Sequence, residues 1–433
     1  CCQTPRVPRV LPRLLPRDGE TRSFIAIYLA CMRGARSMAT QASKRVRATD
    51  TPCIVQMQQM LRGREGVLSL AQGIVHWPPP EAALAAGVAA MGERSTSLYG
   101  PDDGLPELRA ALKEKLRVEN GIDGGEVMVT AGANQAYTNV VLSLLDAGDA
   151  AALFRPYYFN HLMALQMTGS QLDLWLPPSL PDLQPDIGAL RAELEARARG
   201  DRPPLRMLTL VNPGNPTGVM IPRGTLDEAS RLCASHGVWL VVDNTYEHFE
   251  YAGEAPHECV SGEHVINVFS FSKAFGMMGW RVGYVSFPAA LAPEMLKVQD
   301  TIAICPSIAS QKVALGALAA GRGWVSQRVA GLAEQKALVL AALAPLGDGA
   351  VQGGSGAIYL VARLPPHAAD DVAAVRTLAE EHGVALIPGS ACGAPGHIRV
   401  CYANLPLEQT REAAARLRRG LQALVDGGAG RRA

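Results

Sequence analysis

The chain has no surplus of charge of either sign: 41 lysines and arginines stand against 40 aspartates and glutamates. A net charge of +1 argues against a dedicated nucleic-acid binder, which needs a strongly basic surface. No CxxC pair occurs among the nine cysteines, which are scattered from Cys1 to Cys401. That odd, dispersed set reads as reduced intracellular thiols rather than a disulfide framework or a zinc site, and no metal is expected. No early apolar run is long. Phe24 to Cys31 falls far short of the ~20 residues a membrane span needs, and no span is expected. From Thr51 onward there is no long linker, low-complexity stretch or internal repeat. What remains is length and apolar content: 433 residues, 48% of them hydrophobic, which allows two or three domains with sizeable cores.

The first fifty residues differ from the rest. They hold Arg6, Arg9, Arg13, Arg17, Arg22, Arg33, Arg36, Arg45 and Arg47 against only Asp18, Glu20 and Asp50. An arginine-rich, acid-poor leader resembles an organelle transit peptide. The alternative is sequence read through ahead of a start at Met32 or Met38. The protein is expected in the cytoplasm, or in a plastid or mitochondrion if residues 1–50 are a transit peptide. On either reading these residues stand outside the fold.

Pro52 to Leu61 reads as a helix, and Leu105 to Val118 as another, opened by Pro106 near its first turn. Short β-branched apolar runs then alternate with helical stretches. Val127–Thr130, Ala151–Phe154, Leu208–Val211, Val238–Val242 and Val265–Phe269 are strand candidates. Gln135–Leu145 and Leu190–Arg199 are helix candidates. Runs that are apolar on both faces suit a mainly parallel sheet covered by helices. Two long helical patterns follow Ile302. A smaller α+β tail holds Ala357–Ala362, the helix Val372–His382, Val384–Ile387 and Ile398–Cys401. The expected organisation is a large α/β domain at 95–324, with a small domain built from 325–433 joined by 51–94. In open α/β sheets ligands bind beyond the carboxyl ends of the strands. The unusual residues cluster there: Asn212 to Gly218, Asp243 to Tyr246, and Ser270 to Lys273.

The strongest chemical signal is Ser270-Phe271-Ser272-Lys273, followed by Gly279-Trp280-Arg281-Val282-Gly283-Tyr284. A lysine just after a strand can form a Schiff base with an aldehyde. Two serines and an arginine eight residues on can bind a phosphate. The amine must be neutral to attack, well below its reference pKa of roughly 10.4, and burial and a nearby cation both push it that way.

This block resembles the Schiff-base signature of class I/II aminotransferases of the pyridoxal-phosphate (PLP) fold type I. The resemblance covers about residues 52–425. It is close to a plant group of aromatic aminotransferases that use methionine as amino donor. The segments that carry the closer likeness are Ser69 to Trp77, Pro156 to Asn160, and Val241 to Glu247. What the resemblance implies is specific. PLP is the cofactor and Lys273 carries it. Asp243 keeps the pyridine nitrogen protonated, and Tyr246 and Asn215 reach the phenolic oxygen. Ser270, Ser272 and Arg281 hold the phosphate with Ala133 and Asn134, whose N–H groups open a helix. Tyr158 stacks on the ring, and His161 touches Asp243. Tyr99 reaches the phosphate of a partner subunit, which implies a homodimer with shared sites. Arg399 clamps the substrate carboxylate with two parallel hydrogen bonds, and Gly73 closes over it. Trp77, and the apolar Ile302, Ile304 and Pro306, are candidates to line a side-chain pocket.

The expected activity is transfer of an amino group from an aromatic amino acid or methionine to a 2-oxo acid. Catalysis falls to Lys273, Asp243 and Tyr246. Amino acids and oxo acids are the expected partners, with no nucleic acid and no membrane. A PLP-dependent lyase of the same fold shares Lys273, Asp243 and Arg281 and is the alternative. A non-catalytic PLP-binding domain is another, though the leader has no helix-turn-helix pattern.

Overall fold

The computed structural model describes residues 42–168 and 172–429. Most of the arginine-rich leader, residues 1–41, therefore lies outside the described residues. The chain divides into two units. In the first, residues 42–48 hold the short helix Lys44–Ala48. The second begins at Thr49 and contains everything discussed below.

Its centre is a seven-stranded sheet. The strands are β2 (Glu126–Thr130), β3 (Ala150–Leu153), β4 (Asp173–Trp175), β5 (Leu205–Val211), β6 (Trp239–Asp243), β7 (Val265–Ser270) and β8 (Gly283–Phe287). Their order is β2-β8-β7-β6-β5-β3-β4. All pairs are parallel except those of β8, which runs antiparallel to both neighbours. Alternation along each strand feeds two cores. Ala151, Leu153 and Val241 face the core that contains Val140, Leu144 and Leu165. Ala150, Ala152, Leu240 and Val242 face the one that contains Leu190, Leu194 and Leu226. Helices Ala133–Leu144 and Phe159–Thr168 thus cover one face, and Ile187–Ala198 and Arg223–Ser235 the other. This is why the strands read as apolar on both faces.

A second sheet is antiparallel, in the order β12-β13-β10-β9, from β9 (Val351–Gln352), β10 (Tyr359–Arg363), β12 (Ile387–Pro388) and β13 (His397–Cys401). The expected strand Val384–Ile387 is two strands. Its first half, β11 (Val384–Ala385), leaves this sheet and pairs in parallel with β1 (Leu68–Ser69). The segment after β1 continues along β13: the Cys401 N–H donates to the Leu70 carbonyl at 2.8 Å, and the His76 N–H to the Ala403 carbonyl at 3.0 Å. That path brings Gly73 and Arg399 together across more than 300 residues of sequence.

One helix bears on the expected lack of a membrane span. Among the described residues, Gly321–Leu346 is a 26-residue helical stretch long and apolar enough, by length and composition, to cross a membrane. The sequence reading missed it because charges interrupt its apolar runs. Its Val325, Val329, Leu332, Val339 and Leu343 are buried in the protein core, so packing accounts for its apolar face.

Candidate active site

Five parallel strand ends and the start of β8 point at one cavity of about 280 Å³. Twelve of the residues singled out in the sequence line it: Gly73, Ala133, Asn134, Tyr158, Asn215, Asp243, Tyr246, Ser270, Ser272, Lys273, Arg281 and Arg399.

Lys273 sits in the turn that follows β7. Burial pushes its amine down to about 8, and the charges of Arg281 and Arg399 add to the effect. Among the described residues it makes no ion pair, so the amine is free to react. Asp243 ends β6 and is 4% exposed. One carboxylate oxygen lies 3.0 Å from His161 Nε2. The other accepts from the Thr245 N–H at 3.0 Å and the Thr245 hydroxyl at 2.6 Å. Burial alone would raise this carboxyl, but the His161 and Thr245 contacts outweigh it and hold it below the usual carboxylate value. It is a fixed buried anion at the cavity wall.

An anion cradle lies beside it. Hydrogen bonding in helix Ala133–Leu144 begins with Gln135 and Ala136, both onto the Gly132 carbonyl. The N–H groups of Ala133 and Asn134 are thereby left for another acceptor. The Ser270 and Ser272 side chains face the same space, with the Ser272 N–H on Ser270 Oγ at 3.1 Å. Arg281 has a left-handed backbone, φ 55°, and its guanidinium donates to the Met278 carbonyl at 2.8 Å. Gly132, at φ 86°, lets that guanidinium approach. A Cβ there would lie 2.4 Å from Arg281 Nη2.

Arg399 forms the opposite wall. It is 2% exposed, yet no carboxylate among the described residues pairs with it. Its partners are neutral: Asn215 Oδ1 at 2.9 Å and the Ala71 carbonyl at 2.8 Å. Its Nε is buried without a partner. The guanidinium carbon lies 4.5 Å from the Tyr359 ring centre. A buried charge held only by neutral dipoles is costly and complete only with an anion.

Tyr359 is the residue that sequence reading missed. It lines the cavity, lies beside Arg399, and its hydroxyl bonds to that of Tyr246. A Cβ on Gly73 would come within 1.9 Å of the same hydroxyl, so glycine is needed there for close approach. Thr245 was missed too, although an Asp followed two residues on by Thr is a readable Asx turn. Ile54, Ile74, Phe159 and Met278 add apolar wall.

Two expectations, Trp77 and the Ile302–Pro306 group, fall elsewhere. Trp77 is 7% exposed and packs in the core. Its ring stacks 6.3 Å from Phe249, and its indole N–H reaches the Ala274 carbonyl at 3.3 Å. Tyr99, expected at a partner subunit's site rather than at this one, is 81% exposed. Ile302 and Ile304 are exposed as well, at 47% and 39%, and neither they nor Pro306 line it.

The sequence pattern of aminotransferase class I and II matches residues 65–417. The chain belongs to that family. An aromatic aminotransferase of Arabidopsis thaliana, ISS1, is 47% identical over 389 residues, covering 89% of this chain and 98% of that protein. An aspartate/prephenate aminotransferase of Thermus thermophilus is 34% identical over 83% of this chain and 92% of its own. A solved Thermus thermophilus aspartate aminotransferase mutant superposes with a TM-score of 0.79 at 31% identity, covering 88% and 99% of the two chains. The fold is that of the fold type I aminotransferases, and the activity is amino-group transfer.

Proposed function

We propose that this aminotransferase takes the amino group of an aromatic amino acid or methionine and passes it to a 2-oxo acid such as indole-3-pyruvate, phenylpyruvate or pyruvate. The observation that carries this reading is the set of cations at the cavity. Three line it among the described residues: Lys273, Arg281 and Arg399. Lys273 is the reactive amine, Arg281 belongs to the anion cradle, and Arg399 remains for the carboxylate that every amino acid carries. None is left for a side-chain carboxylate, while Ile54, Ile74, Phe159, Met278 and Tyr359 offer apolar surface. The identity to the Arabidopsis aromatic enzyme supports the same substrate class.

The residues present fit pyridoxal 5′-phosphate as cofactor. A lysine with a lowered pKa, a fixed carboxylate and an anion cradle are the three donor sets it needs, and they share one wall. Ala133, Asn134, Ser270, Ser272 and Arg281 would hold its phosphate, Asp243 its ring nitrogen, Asn215 and Tyr246 its phenolic oxygen, and Tyr158 its ring face. Bound there, it supplies an aldehyde to which amines condense and a protonated ring that accepts the electron pair released at the substrate Cα. The Arg399 fork binds and orients the substrate carboxylate. Lys273 Nζ takes the Cα proton and holds it for redelivery. Asp243 keeps a proton on the ring nitrogen set beside it. Burial of Asp243 and Arg399 keeps water from both groups.

A homodimer completes this reading. Leu98 and Tyr99 are exposed at 56% and 81%, next to Gly100, whose N–H lies 3.4 Å from Cys305 Sγ beside the exposed Ile304. This apolar patch suits a second copy, to whose cradle Tyr99 would reach. Light scattering of the purified protein should give twice the chain mass.

The substrate test uses purified protein with added PLP, a donor panel, two oxo acids, and chromatography of both products. Methionine or an aromatic donor should outperform aspartate. Aspartate outperforming phenylalanine, tyrosine, tryptophan and methionine would overturn the reading. Release of ammonia without recovered amino acceptor would indicate the lyase instead.

A further inference from the structure

Helix Pro106–Asn120 buries Leu108, Leu112 and Leu116 on its inner face, and with them Lys115. Lys115 stands seven residues after Leu108 and three after Leu112, where the helical period calls for an apolar residue. Its side chain is 5% exposed. A buried lysine needs a partner, and this one has Glu247, itself 8% exposed, in direct contact with its ammonium. Asn120 closes the arrangement: its Oδ1 accepts from Lys115 at 2.8 Å while its Nδ2 donates to Glu247 Oε2 at 2.7 Å.

Neither charge lines the cavity, yet each touches an element that carries it. Glu247 ends the turn that begins at Asp243. In that turn the Glu247 N–H donates to the Asn244 carbonyl at 2.9 Å, and the Asn244 N–H donates to the Val268 carbonyl of β7 at 2.8 Å. Thr245 and Tyr246 lie between. The Lys115 ammonium sits 5.1 Å above the ring of Phe269, the residue before Ser270. One buried ion pair therefore joins the turn bearing Asp243 and Tyr246 to the strand that delivers Ser270, Ser272 and Lys273.

We infer that Lys115 and Glu247 are positioning residues that hold the Asp243–Tyr246 turn in register with the Lys273 turn. The inference rests on Lys273 as the proton-moving group. Buried ion pairs add little net stability over neutral side chains of similar volume, although losing one partner is severe. Positioning and stability are therefore separable. Misplacement of reacting groups by of order 1 Å costs about 100-fold in rate.

The test is Glu247→Gln and the double variant Lys115→Met/Glu247→Gln, with thermal unfolding of the cofactor-free protein measured beside kcat per PLP-loaded site and KM. The double variant should unfold within a few degrees of wild type. Its kcat should fall roughly 10- to 100-fold, with KM for the donor changed less than about threefold because Arg399 is untouched. Recovery of wild-type kcat in the double variant along with its unfolding temperature would show that the pair only stabilises the fold. Should the double variant not fold, Glu247→Gln decides alone: its neutral amide loses the charge pairing that holds the turn, so kcat should fall at least severalfold with KM for the donor nearly unchanged, and wild-type kcat there overturns the inference. Turnover surviving in Lys273→Ala would instead overturn the site on which it rests.

Discussion

The two walls of the cavity are built on opposite electrostatic plans. The wall at the ends of β6 and β7 satisfies its buried carboxylate from within, although Nδ1 of His161 behind it has no partner among the described residues. Both oxygens of Asp243 are engaged by His161 and Thr245, and the Asp243 turn is bonded to β7. The wall formed by β13 and the Gly73 segment is left incomplete: Arg399 is buried with only neutral partners and an orphaned Nε. A satisfied wall stays put between turnovers, while an incomplete one gains on binding an anion. This contrast supports the proposal that one wall carries the standing chemistry and the other captures substrate.

The largest effect should come from the satisfied wall. Lys273→Ala should reduce transamination to background and remove the absorbance of the lysine-bound cofactor, with circular dichroism unchanged. Near-wild-type turnover would mean that the reactive amine lies elsewhere. Arg399→Ala strikes the other wall. Losing a buried charged partner costs about 3–5 kcal/mol, and each ~1.4 kcal/mol is tenfold, so kcat/KM should fall by roughly two to four orders of magnitude. The loss should be similar for every donor, because all share the carboxylate, and PLP should still titrate in normally. A defect confined to one donor would make Arg399 a side-chain reader. Lysine should rescue only partly, lacking the planar fork.

Acid should weaken the frame beneath the satisfied wall. Burial, with the charge of Lys115, pushes His248 and His257 down to about 4, from an ordinary value of 6.5. Their folded values are depressed, so the unfolded chain binds the extra protons. The stability they contribute is full above pH 6.5 and is lost as pH falls toward 4. Glu247, held at about 2 against burial by Lys115 and both histidines, extends the loss from 4.5 downward. Unfolding temperature measured from pH 7 to 4 should fall, and His248→Gln should flatten part of that slope. Tyr359→Phe should matter least. It removes one hydroxyl partner from Tyr246, and a net hydrogen bond is worth about 0.5–1.5 kcal/mol, so kcat/KM should drop by roughly two- to tenfold. No change at all would detach the Tyr246–Tyr359 contact from the chemistry.

The same contrast explains what could be read in the sequence. The satisfied wall is made of short contiguous motifs at strand ends, so its residues announced themselves in two tight clusters, Asp243 with Tyr246 and Ser270 with Ser272 and Lys273. The other wall is assembled across the chain. Arg399 meets Ala71 from 328 positions away, and Tyr359 meets Tyr246 from 113. No local spacing encodes such pairs. Arg399 was found only through family resemblance, and Tyr359 not at all. Trp77 misled because an aromatic near Gly73 fits core packing and a pocket equally well until its neighbours are known. β8 went unread because its residues were absorbed into the motif around Arg281. The sheet was therefore expected to be mainly parallel, with its one reversal unplaced.

That reversal governs when the cradle comes into existence. β8 lies between β2 and β7, and because it runs backwards its first residue, Gly283, stands level with Thr130 and Ser270, their last. Arg281 enters from a strand beginning, between two strand endings. Were β8 parallel to its neighbours, the same arginine would emerge at the far edge of the sheet, some 15 Å away at about 3.3 Å per residue. A one-residue slip in its pairing would invert which face each of its side chains meets. Ser270 pairs with Gly283 through a short connection, whereas β8 joins β2 across more than 150 residues, a late contact by chain topology. A partly folded chain with β8 on β7 but not yet on β2 has the serines and the arginine but not the helix start at Ala133. Full-strength anion capture is therefore a property of the completed sheet alone.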